Sequence, residues 1–365
     1  MLGAMKTLPY PSRPSRRALL SATVASATLG ALPPFVPSAR AQDMAQAPGA
    51  DAAFDAARLG RAVDRAARLD QIRGLIIGRH GRIAVAEAIR GPALDRPVNV
   101  KSVSKTIVAS LAGAAIDRGV LRGVDMTLAE AAPGLIPRDA DPRVRAITIA
   151  QLLTLQAGLE PTSGPLYGRW IESPNWIAYA LRRPFVAEPG ERMIYSTGTT
   201  HVLGAVIARA AGRDLLSLAR DWLGEPLGIR LAGWTRDPQG FYMGGNNMLL
   251  SPRDLFRFGE MWRAGGLWNG QRVLSAAWAE ASWTPRTRSP FSGDEYGYGW
   301  FLAEEGGRSF AYARGYGGQM LYVVPSLGLT VVVTSDPNRP ARSDGHVGDL
   351  KALLAEEIIP AAENA

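Results

Sequence analysis

Strand-forming runs lie at both ends of this chain and helix-forming stretches fill its middle. Near the N-terminus "IRGLIIGR" (72–79) and "RIAVAEAI" (82–89) flank His80-Gly81. Two such runs around a two-residue turn predict a β-hairpin. Near the C-terminus "YGYGWFL" (296–302), "SFAYAR" (309–314), "QMLYVV" (319–324) and "LTVVVTS" (329–335) read as four more strands. Between the two groups, from 102 to about 285, the chain reads mostly as helices and long loops. The expectation is an α+β fold, an α/β sandwich with one antiparallel sheet built from both chain ends and flanked by helices. Residues 52–101 and 290–365 form its α/β lobe, and 102–289 a mostly helical lobe inserted between them. Helices are predicted over 52–69, with Phe54, Leu59, Val63 and Leu69 on one side, and over about 346–358. No P-loop and no G-x-G-x-x-G is present, which argues against a doubly wound nucleotide fold.

The first 41 residues have the order of an export signal. "SRRALL" (15–20) is an arginine pair entering an apolar, Ala-rich run, broken by Pro33, Pro34 and Pro37. Ala39 and Ala41 then supply the small residues of a cleavage site. A twin-arginine-type signal implies a folded protein delivered to a periplasm or the exterior. Residues 42–51 read as a linker, and the mature chain holds no membrane span.

The net charge of +8 includes Lys6, Arg13, Arg16, Arg17 and Arg40 of that segment, which holds no acid. The remainder carries no basic stripe interleaved with aromatics, so nucleic-acid binding has no support. No cysteine is present, which excludes disulfides and thiolate chemistry, and three scattered histidines do not suggest a metal site. No cofactor is expected. The expected partner is a small-molecule or short-peptide substrate, and the sequence does not give the oligomeric state.

Only four of the 41 basic residues are lysines, and one of them, Lys105, lies inside the apolar helical run "VSKTIVASLAGAAIDRG" (103–119). A helix from Ser102, capped at Gly119, would put Ser102 in its first turn and Lys105 on the same face. A serine hydroxyl needs a base to become a nucleophile. Lysine can be that base when desolvation lowers its pKa, whereas arginine stays charged. A serine at a helix start is also an ordinary N-cap, and spacing alone does not choose between the two.

"SVSKT" (102–106) resembles the S-x-x-K motif of the serine β-lactamase and penicillin-binding-protein superfamily, closest to the class C branch and its esterase and peptidase relatives. "ITIAQLLTLQAGL" (147–159), "EPGERMIYSTGTTHVLGAVIARAAG" (188–212), "LSPRDLFRFGEMW" (250–262) and "ARGYGGQMLYVVPSLGLTVVVTSD" (313–336) resemble further segments of that family in the same order. The resemblance implies a β-lactamase-like fold. It implies Ser102 as acylated nucleophile, Lys105 as the group that takes or tunes its proton, and Tyr195 as general acid–base. The third motif aligns with Gly315-Tyr316-Gly317, and the amides of Ser102 and Gly318 would form the oxyanion hole.

Two departures shape the expectation. Thr197 stands where the family has asparagine, and Gly315-Tyr316-Gly317 replaces K-T-G, so the lysine that helps receive a β-lactam carboxylate is missing. The "GYGGQ" form looks more like the esterase and amidase side, including the 6-aminohexanoate-dimer hydrolase group. Arg314 either contacts a substrate carboxylate or points away by strand alternation. Tyr167, Trp170 and Trp176 either line an acyl pocket or belong to the core. His201 and His346, the latter between Asp344 and Asp349, are expected to be structural rather than members of a Ser-His-Asp triad. The expected activity is cleavage of ester, amide or D-amino-acid peptide bonds through an acyl-enzyme. A slow penicillin-binding sensor and a weak class C-like β-lactamase stand as alternatives.

Overall fold

A computed structural model describes residues 53–363; the expected export signal and linker, 1–41 and 42–51, lie outside the described residues. Helix α1 (Ala56–Arg68) starts at Asp55, whose carboxylate accepts the amides of Ala57 and Arg58. The hairpin follows as β1 (Ile72–Arg79) and β2 (Arg82–Glu87). Its turn residues His80 and Gly81 both have positive φ, 50° and 82°, as a right-twisting two-residue turn requires.

The C-terminal strands are β3 (Thr287–Arg288), β4 (Glu295–Tyr296), β5 (Phe301–Glu305), β6 (Arg308–Gly315), β7 (Gln319–Val324) and β8 (Leu329–Ser335). They join the hairpin in one eight-stranded sheet, ordered β2-β1-β8-β7-β6-β5-β4-β3. Every neighbouring pair is antiparallel. The seam between the chain ends is β1 on β8, with Ile76 opposite Val332. The mixed α+β architecture with a sheet from both ends is therefore as expected.

One expected strand is two. The run 296–302 is interrupted at Gly297–Trp300, where Gly297 donates its amide to Trp300 O (3.0 Å) and Gly299 has φ 76°. A Cβ on Gly297 would lie 2.1 Å from Ser282 O, so the backbone there packs against another segment and leaves the ladder.

The two sheet faces bury different cores. Leu75, Ile77, Val331 and Val333 face α1 and the C-terminal helix, which starts at His346 and runs to Glu363, past its expected end, through a π-helical stretch at Leu353–Ile358. Ile76, Leu321, Val323 and Val332 face the opposite core, which holds α2 (Ser104–Asp117), α3 (Thr197–Ala211) and α4 (Pro252–Arg263). Helix α2 is buried from Ser104 to Ala115, and Gly119 (φ 68°) ends its chain reversal. Among the described residues no helix is long and apolar enough to cross a membrane.

Mid-helix Gly113 lets the Trp278 indole lie against α2. A Cβ there would fall 2.2 Å from Trp278 Nε1. Alanine gains about 1 kcal/mol of helix propensity over glycine. Overpacking costs about 1–3 kcal/mol and wins here, because the ring also packs on Tyr298 at 5.4 Å and has little room to retreat. Gly113→Ala is therefore expected to lower the urea midpoint at unchanged slope.

Candidate active site

Ser102 lies on a single 3-10 turn, Lys101–Val103, just before α2, rather than on α2 itself. Lys101 has φ 52°, a left-handed conformation that costs a non-glycine residue roughly 1–2 kcal/mol. The surroundings hold it there. Its amide donates to Asn99 Oδ1 (2.9 Å), and its carbonyl accepts from Ser104 Oγ (2.6 Å). Asn99 Nδ2 in turn donates to Asn247 Oδ1 (3.0 Å), and Val100 N to Met248 O (3.0 Å). The result is a half-buried serine on a fixed, strained corner.

Lys105, one turn into α2, is 3 % exposed. Its Nζ donates to Ser102 Oγ (3.1 Å), to Gly245 O (2.7 Å) and, at 3.4 Å, to Thr197 Oγ1. None of these partners is a carboxylate. Burial pushes the ammonium below the ordinary lysine range, and the neighbouring Tyr195 opposes that shift. The Tyr195 ring centre is 4.7 Å from Nζ. That ring packs on the cluster of Leu155, Met193 and Tyr296, with Phe291 edge-on at 6.4 Å. Ser102, Lys105, Tyr195 and Thr197 thus converge, although they come from segments almost a hundred residues apart.

Thr197 opens α3. Its amide donates to Ser163 Oγ (2.9 Å), and its hydroxyl lies 2.9 Å from the same atom. Ser163 therefore places a second hydroxyl beside the shorter side chain that replaces asparagine. Neither Ser163 nor Gly245 was singled out in the sequence. The only hint of Gly245 is the pair Gly244-Gly245, where a Cβ would meet Thr200 O at 2.7 Å and Thr197 O at 2.5 Å.

The third motif lies at the β6–β7 turn. A Cβ on Gly315 would be 2.4 Å from Val100 O and 3.0 Å from Lys101 Cβ, so this strand end packs directly on the serine corner. Gly317 and Gly318 have φ 81° and 93°. Tyr316 between them and Gly315 is 54 % exposed, as is Phe291, so two aromatic faces remain open at the rim. The Gly318 amide, expected in the oxyanion hole, donates to Gly315 O at a long 3.3 Å.

The two other expected substrate contacts, Arg314 and Trp170, are placed differently from each other. Arg314 shares a sheet side with its cross-strand partner Met320, whereas Gly315 faces the serine corner. The half-buried Arg314 nevertheless lines a cavity with Gly315, Tyr316, Gly317 and Arg342. Trp170 is completely buried, donates Nε1–H to Trp176 O (2.9 Å), and packs on Tyr167, Trp176 and His201. It is core, with no face left for substrate. Tyr167 Oη accepts from Asn246 Nδ2 (3.1 Å).

Both histidines are buried and hydrogen-bonded to groups other than Ser102. His346 Nε2 is 3.0 Å from Ser335 Oγ, its ring lies beneath Gly318, and burial lowers its pKa. His201 pairs with Asp237 (3.0 Å).

Sequence and structure comparisons give the chain's family and fold relatives. An esterase from Burkholderia gladioli, EstB, is 33 % identical over 216 residues, which cover 52 % of this chain and 55 % of the esterase. The match thus spans about half the length of that relative. Among solved structures, a 6-aminohexanoate-dimer hydrolase homologue from Bacillus anthracis superposes with a TM-score of 0.69 at 16 % identity, covering 84 % of this chain and 81 % of the other. An octameric penicillin-binding protein homologue from Pyrococcus abyssi gives 0.64 at 19 %, covering 82 % and 77 %. At such identities these two show the shared fold. Residues 59–356, most of the chain and all of the site, match the Beta-lactamase family profile, and the chain belongs to that family.

Proposed function

We propose that the protein is an exported serine hydrolase that cleaves ester or amide bonds through an acyl-enzyme at Ser102. The observation that carries the reading is Lys105, buried without a carboxylate partner, with Nζ 3.1 Å from Ser102 Oγ. A lysine desolvated in this way spends more of its time neutral and can accept a proton.

The steps follow from the arrangement. Ser102 Oγ bonds to the substrate carbonyl carbon while its proton passes to neutral Lys105, directly or through Tyr195. The carbonyl π electrons move onto oxygen, which the Ser102 and Gly318 amides stabilise. For this the Gly318 N–H exchanges its long bond to Gly315 for the oxyanion. Collapse breaks the bond to the leaving alcohol or amine, which takes up the proton. Water then attacks the acyl-enzyme under the same pair and releases the acid. Tyr195 and Lys105 act as a coupled pair, so each working pKa belongs to the pair. Thr197 and Ser163 offer hydroxyls to the substrate, and Gly315 and Gly317 let it lie close to the strand.

The esterase likeness and the missing third-motif lysine both favour esters over β-lactams. Turnover of p-nitrophenyl butyrate and nitrocefin, together with fluorophosphonate labelling, tests this. Butyrate hydrolysis with covalent labelling, and nitrocefin turnover lower by orders of magnitude, is the expected result. Nitrocefin as the better substrate would point to a β-lactamase instead, and labelling without turnover to a sensor.

A further inference from the structure

His201 lies on α3 one turn beyond Thr197, and its side chain is fully buried, as is that of Asp237. The ring is edge-on to Trp170 and Trp176 at 5.8 and 5.7 Å. Its Nε2 is 3.0 Å from Asp237 Oδ2 and its Nδ1 is 3.2 Å from Tyr242 O. A carbonyl can only accept. The Asp237 carboxylate already accepts the amides of Gln239 (2.9 Å) and Phe241 (2.8 Å) through Oδ1. Nδ1 therefore donates its N–H to the Tyr242 carbonyl while Nε2 is paired with the carboxylate, so the ring is tied at both nitrogens.

What the ring holds is the 235–247 loop. Asp237 and Tyr242 are on it, and two residues further on Gly244 and Gly245 lie with their backbone against Thr200 and Thr197 of α3. Trp234 Nε1 donates to Asn246 O (2.8 Å) just past them. The loop's functional atom is Gly245 O, the shortest hydrogen-bond partner of Lys105 Nζ. No contact between His201 and Lys105 is needed: the ring fixes the loop, and the loop fixes the lysine's acceptor.

We infer that the His201–Asp237 pair is a clasp that positions the Gly245 carbonyl, making His201 a positioning residue for the reaction proposed above, on which this inference rests. The clasp explains a costly choice. A buried polar pair adds little stability compared with apolar residues, but it fixes one geometry. The groups facing it are Asp237, the Trp170 and Trp176 rings and the Tyr242 carbonyl, with Arg236 outside on the Tyr242 ring at 4.3 Å. Those facing Lys105 are Ser102, Tyr195, Thr197 and Gly245.

Asp237→Asn tests it, because it keeps the shape and lets Oδ1 still accept the Gln239 and Phe241 amides while an amide N–H replaces the carboxylate oxygen facing Nε2. With folding checked by a cooperative melt, kcat for a p-nitrophenyl ester should fall roughly 10–100-fold with KM little changed, as for a small misplacement of a catalytic group. The pH–rate limb of Lys105 should also move to lower pH. A carbonyl acceptor favours the charged ammonium, so a loosened Gly245 lets the lysine lose its proton earlier. A purely structural role would lower the amount of active protein and leave the limb in place. A folded Asp237→Asn with wild-type kcat and an unmoved limb overturns the inference. Should that variant not fold, ring ¹⁵N resonances of His201 in the wild type decide. A protonated Nδ1 supports the clasp, and a bare Nδ1, which could not donate to the Tyr242 carbonyl, overturns it. Retained turnover in Ser102→Ala would instead sink the underlying reading, so the two failures are distinguishable.

Discussion

Ser102→Ala should remove turnover of ester substrates, lowering kcat by roughly 10⁴–10⁶-fold, the scale on which loss of a nucleophile acts in serine hydrolases. The size follows from what stays behind. The backbone amides of the corner and the β6–β7 turn remain, so the variant keeps whatever catalysis oxyanion binding and substrate positioning give. It loses the covalent route altogether. Stability should change little, because Ser102 is only half-buried and the corner is held by Asn99, Ser104 and Met248 rather than by the serine hydroxyl. A melting curve like the wild type's beside an inactive enzyme is the expected combination. Activity within tenfold of wild type would show that another group attacks the substrate.

Lys105→Arg should lower the acylation rate by about 10²–10⁴-fold, as for a lost acid–base group. Arginine keeps the charge but has no accessible neutral form. Lys105→Met separates chemistry from packing. It fills a similar volume, removes the cost of burying an ammonium, and should be inactive yet at least as resistant to heat as the wild type. The pH dependence has a definite sign. Burial lowers the lysine's pKa in the folded state, while the unfolded chain holds its proton up to the ordinary value of 10.5. Between the lowered value and 10.5 the unfolded state binds more protons, so this group's contribution to stability rises with pH across that window. Below the window both states are protonated, and the contribution is flat and unfavourable. The rate rises in the same direction as the neutral lysine accumulates. Stopped-flow acylation of the wild type should show the rate trend, and urea unfolding over a pH series should show the stability trend in the wild type and its loss in the inactive Lys105→Met. Activity of Lys105→Arg within a few-fold of wild type would contradict the assignment.

The outline of the fold was legible because the end strands are marked by strong local signals. The runs 319–324 and 329–335 each follow a glycine and are rich in valine and other strand formers, and they form β7 and β8 with those bounds. The run 296–302 misled because its tyrosines and Trp300 score as strand while Gly297 and Gly299 turn the backbone out of the ladder. In the site, a rare lysine three residues from a serine was visible, and so was Tyr195. Ser163 and Gly245 were not, because each acts through a contact that sequence spacing does not encode: a hydroxyl from a distant loop, and a backbone carbonyl available at any residue. Trp170 shows the same limit from the other side. An aromatic side chain in a loop has no period to tell a pocket wall from a buried ring, and only the Trp170–Trp176–His201 packing settles it as core.

The central claim, an acyl-enzyme on Ser102 relieved of its proton by the Lys105–Tyr195 pair, is tested most directly by rapid-quench mass spectrometry of the protein during p-nitrophenyl butyrate turnover. The account predicts a butyryl adduct that maps to the peptide containing Ser102, accumulates before steady state, and is absent in Ser102→Ala. Turnover with no covalent adduct, or an adduct that maps to another residue, would contradict it.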